Sequence, residues 1–192
     1  MIKAIIFDCY GVLVGDGLPV FVQRHFADNP EVMAQVWDND DKVNRGEMSV
    51  RDELVYLSEQ SGVAFNNIAR EFDVNYPDEA LFSYIKQELR PAYRLGICSN
   101  ISRHEVLTEL IGQEKRELFD AAILSCDLGV VKPDFRIYLA CAEALGVEPE
   151  ECLYVDDKER YCQPARELGM QTIVYRRFEQ FQKDCARARS QQ

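Results

Sequence analysis

The sequence predicts an α/β fold with a mostly parallel, doubly wound sheet of Rossmann type. Short apolar runs alternate with amphipathic helical stretches over most of the 192 residues, a pattern typical of a parallel sheet with helices on both faces. Each run spans about four to six residues, which favours a strand over a helix. Residues 15–77 contain helical patterns but no strand-like run, so we predict a helical insertion after the first strand.

Five apolar runs are predicted as strands, and helices separate the later ones. The predicted strands cover residues 2–7, 93–98, 121–124, 152–155 and 171–174. The predicted helices between them cover residues 103–111, 135–145 and 163–168. Gly146 and Gly169 follow the last two of these helices, where glycine commonly ends a helix.

The inserted segment is predicted to form four helices, over residues 21–27, 32–38, 50–61 and 65–73. Ser49 is a suitable N-cap for the third helix, with Asp52 three residues later, and Gly62 suits its C-terminal end. We therefore expect an α/β core formed by residues 1–15 and 78–192, and a helical module formed by residues 16–77. We expect the last residues, 187–192, to fray.

The composition excludes several classes of function. The chain has 33 Asp and Glu against 22 Lys and Arg, a net charge of -11, which disfavours nucleic acid or an anionic membrane as a partner. Two histidines are too few for a zinc site built from several imidazoles. Seven scattered cysteines without a C-x-x-C pair indicate a reduced, cytoplasmic chain. No apolar run approaches the roughly 18 residues of a membrane span.

Polar side chains directly follow the first, second and fourth predicted strands. A lysine lies between the third predicted strand and the helix that comes after it. Ligands of a doubly wound sheet bind beyond the carboxyl ends of its strands, so these side chains form the candidate site. They are Asp8, Ser99, Asn100, Lys132, Asp156 and Asp157. Three carboxylates against one ammonium leave about two negative charges, which suit Mg²⁺ and its oxygen ligands. Since a carboxylate also serves as a nucleophile, the pattern favours Mg²⁺-assisted phosphoryl transfer to an aspartate.

Four short motifs resemble those of the haloacid dehalogenase (HAD) superfamily of hydrolases. They occur in the family's order and are IIFDCYGVL at residues 5–13, ICSN at 97–100, VKPD at 131–134 and YVDD at 154–157. The helical module matches the family's cap in its first insertion position. Residues 36–57 resemble the small helical cap of the sugar-phosphate and epoxide-hydrolase-like phosphatases of that superfamily. The resemblance implies an enzyme that acts on a small phosphorylated molecule.

The resemblance also implies a role for each matched residue in a Mg²⁺ site. Asp8 would be both the nucleophile and a metal ligand. The backbone carbonyl of Tyr10 would be a second ligand, and Asp157 the third. Asp156 would either orient a metal-bound water or exchange roles with Asp157.

A second group of matched residues is implied in binding the phosphoryl group. Ser99 and the backbone around Asn100 would hydrogen-bond its oxygens, and Lys132 would stabilise the charge on these oxygens and on Asp8. Tyr10 lies beside the nucleophile and is counted with the phosphate-binding residues. This is catalysis by positioning and electrostatic stabilisation.

Tyr10 departs from the pattern of the family's phosphatases, which carry a second aspartate there as general acid and base. A phenol with a pKa near 10 is a poor base at neutral pH, and losing such a catalyst lowers rates by about 10²–10⁴. Two alternatives to the phosphatase therefore stay open. One is a 2-haloacid dehalogenase that uses Asp8 without a metal, since Asp-x-Tyr-Gly is also the pattern of those enzymes. The other is a degenerate Mg²⁺-binding recognition or scaffold protein.

The fourth motif favours the phosphatase over the dehalogenase. Paired acids such as Asp156 and Asp157 would repel a carboxylate substrate in a pocket without metal. For substrate recognition the helical module offers four candidates, although packing or solvation also explains each of them. These are Arg24, Trp37, Lys42 and Arg45. Asp16, in the Gly-Asp-Gly segment after the first strand, is a candidate substitute acid that also suits a loop.

Overall fold

A five-stranded parallel sheet forms the centre of the molecule. The computed structural model describes residues 1–72 and 75–190. The strands are β1 (Ala4–Phe7), β2 (Arg94–Ser99), β3 (Ala121–Leu124), β4 (Cys152–Asp156) and β5 (Gln171–Val174). Their order in the sheet is β3-β2-β1-β4-β5, and every pairing is parallel. Because β1 lies between β2 and β4, the carboxyl ends of these three strands meet at one edge.

The helical module contains four helices. They are α1 (Gly17–Phe26), α2 (Pro30–Arg45), α3 (Val50–Ser61) and α4 (Phe65–Glu71). Ser49 accepts a hydrogen bond from the Asp52 backbone as the N-cap of α3, and Gly62 ends that helix in the left-handed region, as predicted. The helices share an apolar cluster of their own, separate from those of the sheet, which includes Phe21, Val36 and Leu57.

Helices of the α/β core cover both faces of the sheet. They are α5 (Glu79–Tyr84), α6 (His104–Ile111), α7 (Gln113–Arg116), α8 (Ser125–Leu128), α9 (Phe135–Leu145), α10 (Glu159–Glu167) and α11 (Phe178–Ser190). A π-helical turn, Ile85–Leu89, extends α5, and a 3₁₀ turn, Pro149–Glu151, precedes β4. One apolar cluster joins the sheet to α5, α6 and α11, and another joins it to α9 and α10. The doubly wound α/β prediction is therefore confirmed.

Two connections between the sheet and the helical module run side by side. The backbone of Asp78 donates to the Leu13 carbonyl at 2.9 Å, and Gly15 donates to the Tyr76 carbonyl at 3.2 Å. Val14 and Pro77 form an antiparallel bridge between them. At a second point of contact, the Ser125 hydroxyl donates to the Asn44 carbonyl of α2 at 2.6 Å. These bonds hold the helical module over the carboxyl edge of the sheet.

The predicted bounds differ from the observed ones at several ends. The predicted helix 163–168 begins earlier, at Glu159, and contains Pro164 in its interior. The C-terminal residues expected to fray are helical as far as Ser190, since Phe181 and Cys185 anchor α11 in the core. Asp73, at the end of the fourth predicted helix, lies outside the described residues. Every helix in the described part of the chain is too short or too polar to cross a bilayer.

Candidate active site at the carboxyl edge of the sheet

Asp8 lies at the centre of the carboxyl edge, directly after β1. Its carboxylate is buried, and the hydrogen-bond donors that the described residues provide all reach Oδ1. These donors are the Cys9 backbone at 2.6 Å, the Ser99 hydroxyl at 2.8 Å and the Lys132 ammonium at 2.8 Å. Burial and the nearby Asp156 raise the pKa of Asp8, against the lowering effect of Lys132. These three contacts fix the orientation of the carboxylate. Its other oxygen, Oδ2, takes part in none of them.

Lys132 joins two carboxylates inside the protein. Its Nζ lies 2.8 Å from Asp8 Oδ1 and 2.7 Å from Asp156 Oδ2, and the residue is 2% exposed. Burial lowers the pKa of Lys132, but the two carboxylates outweigh this effect and raise it well above its ordinary value. The ammonium also lies 4.9 Å from the ring centroid of Tyr161. Lys132 therefore stays charged in the folded protein.

Asn100 positions this lysine through the backbone. Its side-chain oxygen accepts a hydrogen bond from the Lys132 backbone amide at 2.8 Å. The contact joins the loop after β2 to the loop before α9, so that Ser99 and Lys132 approach Asp8 together. The structure thus gives the Asn100 side chain a positioning contact that the sequence did not indicate.

The adjacent acids Asp156 and Asp157 have different surroundings. Asp156 is fully buried, and its oxygens accept from the Lys132 ammonium, the Tyr154 hydroxyl at 2.6 Å and the Lys158 backbone at 2.9 Å. Asp157 has a buried Oδ1 that finds no hydrogen-bond partner among the residues that the structure describes. Burial is also the main cause that raises its pKa. Asp156 is therefore satisfied by protein donors, whereas Asp157 keeps an oxygen for a ligand.

Gly11 gives Asp157 the space that it occupies. The glycine has φ +80°, and a Cβ at this position would lie 2.6 Å from the Asp157 Cγ. Both the left-handed backbone and the close approach require glycine here. The loop after β1 is thus shaped around the Asp157 carboxylate.

The donor set suits a hard divalent cation. One carboxylate oxygen from each of Asp8, Asp156 and Asp157 lies within 4.8 Å of the others. The three side chains offer oxygen atoms only, the donor type that Mg²⁺ prefers. The partnerless Asp157 Oδ1 is the atom that a cation would satisfy.

The Tyr10 phenol lies near these carboxylates and stays protonated. Burial is the main cause that raises the pKa of its phenol, and the carboxylates of Asp16, Asp40 and Asp8 raise it further. A neutral phenol does not act as a general base at physiological pH. The position therefore lacks the function of the aspartate that the family's phosphatases carry there.

Lys158 and Asp16 form an ion pair beside Asp157. The Lys158 Nζ lies 3.1 Å from Asp16 Oδ2. Burial lowers the pKa of Lys158, but Asp16, Asp157 and Asp8 outweigh it and raise the pKa. Lys158 was missed by the sequence analysis, although it directly follows the fourth motif. Asp16, considered there as a substitute acid, is held in this pair at the start of α1.

A cavity of about 370 Å³ connects the sheet edge to the helical module. The sheet side is lined by Asp8, Ser99, Lys132 and their neighbours, and the opposite side by residues that include Trp37, Asp40 and Glu53. Burial raises the pKa of Asp40 to about 6 and that of Glu53 to about 8. Among the described residues, Glu53 is 9% exposed and its Oε1 has no hydrogen-bond partner. The sequence analysis passed over both acids.

Of the four recognition candidates in the helical module, Trp37 lines the cavity and the three cations do not. Each cation instead forms an ion pair with an acid of the module. The pairs are Arg24 with Glu71, Lys42 with Asp38 and Arg45 with Glu47. Their side chains serve the surface of the helical module rather than the cavity.

Removing the buried cation is expected to destabilise the fold strongly. We expect Lys132→Met to lower the free energy of unfolding by about 3–5 kcal/mol, because two buried carboxylates lose their partner. The loss should shrink as the pH falls and the carboxylates become protonated. Denaturant titrations at several pH values measure it. Lys42→Met is the control, since it removes an exposed ion pair with Asp38 at 2.6 Å, and exposed ion pairs contribute little to stability. If Lys132→Met and Lys42→Met lowered the free energy of unfolding equally, Lys132 would not be the stabilising partner of the two buried carboxylates.

Glu53 is expected to make stability depend on pH. Below about pH 4.5 the group is protonated in both the folded and the unfolded chain. As the pH rises, the unfolded chain releases its proton first, so stability should fall until about pH 8. Glu53→Gln should remove the part of this slope between about pH 6 and pH 8, above the pKa of Asp40, and should exceed the wild type in stability above pH 8, as measured by chemical denaturation. Glu109→Gln, an exposed acid at the same cavity, should keep the slope, and an unchanged slope in Glu53→Gln would contradict the prediction.

Named relatives match parts of this chain. It is 40% identical over 75 residues to bifunctional epoxide hydrolase 2 of Sus scrofa, a match that covers 39% of this chain and 13% of that protein. It is 31% identical over 125 residues to phosphatase MT3486 of Mycobacterium tuberculosis, which covers 65% of this chain and 52% of that protein. The chain thus spans at most about half the length of these relatives.

Solved structures share the fold over nearly the whole chain. A HAD family enzyme of Bacteroides thetaiotaomicron, in complex with magnesium and inorganic phosphate, superposes with a TM-score of 0.67 at 22% identity and covers 92% of this chain and 95% of its own. The L-2-haloacid dehalogenase of Xanthobacter autotrophicus, with chloropropionic acid covalently bound, gives 0.63 at 19% identity and covers 90% and 76%. Residues 2–169 match the haloacid dehalogenase-like hydrolase family. With the fold and motifs described above, this match shows that the chain belongs to the haloacid dehalogenase-like hydrolases.

Proposed function

We propose that this hydrolase cleaves a small phosphate ester with the help of Mg²⁺, through an aspartyl-phosphate on Asp8. The observation that carries the proposal is the buried arrangement in which Lys132 and Ser99 hold Asp8 Oδ1 while Asp157 keeps an unsatisfied oxygen nearby. A magnesium–phosphate complex of the Bacteroides enzyme and the phosphatase among the relatives support it. The chemistry of the site supplies the rest of the argument.

The proposed metal ligands are the carboxylates of Asp8 and Asp157 and the backbone carbonyl of Tyr10. Asp156 supports the site from behind, because its oxygens already bind Lys132, Tyr154 and the Lys158 amide. When bound, Mg²⁺ neutralises negative charge on the phosphoryl oxygens and on the attacking carboxylate. This assignment divides the paired acids into one ligand and one positioning group.

The side chains of the chain itself position and stabilise the reacting groups. Asp8 Oδ2 attacks phosphorus as the bond from phosphorus to the alcohol oxygen breaks, and Ser99 and Lys132 stabilise the charge in transit. Water then attacks the aspartyl-phosphate, which releases phosphate and restores the Asp8 carboxylate. Because Tyr10 retains its proton and is a weak acid, the departing oxygen receives little help. The proposal therefore favours esters whose alcohols are good leaving groups.

The helical module, residues 16–77, is proposed as a cap that closes over the substrate and excludes water. The α/β core then comprises residues 1–15 and 78–192. The side-by-side connections through Val14 and Pro77 are the natural place for such closure to pivot. A cytoplasmic location accompanies the proposal, since all seven cysteines are free thiols.

Tyr10 keeps the dehalogenase as a second candidate. The Asp-x-Tyr-Gly pattern and the fold shared with the Xanthobacter dehalogenase favour it. The buried carboxylates of Asp156 and Asp157 oppose it, because they would repel a haloacid carboxylate without a metal. A degenerate Mg²⁺-binding scaffold is the remaining alternative, and it predicts neither phosphate nor halide release.

The Tyr10→Asp variant separates these functions. A phosphatase should gain about 10²-fold in phosphate release from alkyl phosphates, because the new acid protonates the leaving oxygen. The gain should be smaller with aryl phosphates, which leave without help. The measurement is a panel of phosphate esters, with and without Mg²⁺, beside 2-halo acids scored for halide release. Asp8→Asn is the control and should abolish turnover. Halide release by the wild type without Mg²⁺ would replace the proposal with a dehalogenase.

Filling the space beside Asp157 should reduce the stabilisation of the folded protein by Mg²⁺. Gly11→Ala is expected to displace the Asp157 carboxylate and remove the rise in melting temperature that Mg²⁺ confers. Gly112→Ala is the matched control, because that glycine has the same φ of +80° but nothing within 4 Å of an added Cβ. It should carry the backbone strain alone and keep the full Mg²⁺ response. An equal response in both variants would show that Asp157 does not hold the ion.

A further inference from the structure

The end of the cavity away from the sheet presents two acids and an aromatic ring, here called the acid end (Trp37, Asp40 and Glu53). All three line the cavity that begins at Asp8. Trp37 and Asp40 lie on α2, and Glu53 lies on α3. The acid end therefore belongs to the helical module.

Glu53 is the residue that lacks a partner there. It is 9% exposed, and its Oε1 has no hydrogen-bond donor among the described residues. The charge that acts on it is the Asp40 carboxylate, which has the same sign. Asp40 in turn faces Asp16, Asp41 and Lys158. A buried carboxylate with a second carboxylate beside it and an open cavity in front lacks a cation that can donate a hydrogen bond.

The two ends of the cavity differ in the cations that they offer. At the sheet end, Lys132 and Lys158 provide ammonium groups that suit a phosphate. At the acid end, an indole ring adjoins two carboxylates, a combination that attracts a cation. The unsatisfied Glu53 oxygen accepts from a hydrogen-bond donor, and the neighbouring Asp40 carboxylate favours a donor that is also a cation. A primary ammonium meets both conditions, whereas a quaternary ammonium has no N–H to donate. The exposed cations Arg103 and Arg160 also line the cavity, but at its solvent-accessible surface.

We propose that the acid end binds a protonated primary amine of the substrate, so that the substrate class is a phosphate ester carrying an ammonium group at its other end. This inference rests on the proposed phosphatase function and adds the identity of the non-phosphate part. Burial raises the pKa of Glu53 to about 8. Binding of the ammonium ionises Glu53 and releases a proton.

A series of ω-aminoalkyl phosphates tests the proposal. Each amine, with two, four or six carbons, is compared with the n-alkyl phosphate that carries a methyl group in place of the ammonium. With Mg²⁺ present, we expect phosphate release from the amine of matching length to show a kcat/KM at least about tenfold above its alkyl partner, as for a hydrogen bond between charged groups. The difference should lie mainly in KM.

Two substitutions locate the preference. Glu53→Gln should lose the discrimination, because kcat/KM for the amine falls toward that for its alkyl partner, and Asp40→Asn should reduce the discrimination. Glu109→Gln is the matched control, since it removes an exposed acid that lines the same cavity. It should keep the wild-type preference. Retention of the full preference in Glu53→Gln would overturn the proposal.

A binding measurement separates this proposal from the phosphatase function. Calorimetry on the Asp8→Asn variant compares the affinity for each amine and alkyl pair without turnover. A preference for the amine without hydrolysis by the wild type would support the acid end and refute the phosphatase. Hydrolysis of both members at equal rates would refute the acid end and leave the phosphatase. Absence of both hydrolysis and preferential binding would refute both.

Discussion

The buried ammonium of Lys132 holds the carboxyl edge of the sheet together. It lies 2.8 Å from Asp8 and 2.7 Å from Asp156, and these two acids follow or end the neighbouring strands β1 and β4. Without this cation, two carboxylates would face each other in a site from which water is excluded, an arrangement that costs several kcal/mol. The contact with Asn100 and the ring of Tyr161 keep the lysine in place. The other side chains of the site lie around this triad of Asp8, Lys132 and Asp156.

Two buried carboxylate oxygens outside the triad have no hydrogen-bond partner among the described residues. One is Asp157 Oδ1 near Asp8, and the other is Glu53 Oε1 across the cavity. Buried polar atoms are nearly always hydrogen-bonded, and exceptions commonly mark a place for a ligand. The first oxygen suits a cation among carboxylates, and the second suits a donor on the substrate. Each of these unsatisfied oxygens lowers the stability of the folded protein, a cost that is common at binding sites.

The helical module contributes more than a cover. It carries its own apolar cluster, separate from those that pack against the sheet. The paired connections at Val14 and Pro77 and the bond from Ser125 to Asn44 link it to the sheet edge. The module places Glu53 and Asp40 in the same cavity as Asp8. One cavity thus has an end with two lysines among carboxylates and an end with two acids, from separate parts of the chain.

The sequence by itself determined the strands, the helical insertion and the residues at the strand ends. Buried parallel strands leave short apolar runs, and the position of Asp8, Ser99 and Asp156 directly after or at the end of such runs follows from the chain alone. Tertiary structure alone decided that Asp156 binds Lys132 while Asp157 keeps a free oxygen. It also decided that Glu53 faces the cavity, since an acid on an amphipathic helix carries no local sign of burial. Such partners come from segments far apart in sequence, and only the packing of those segments brings them within bonding distance.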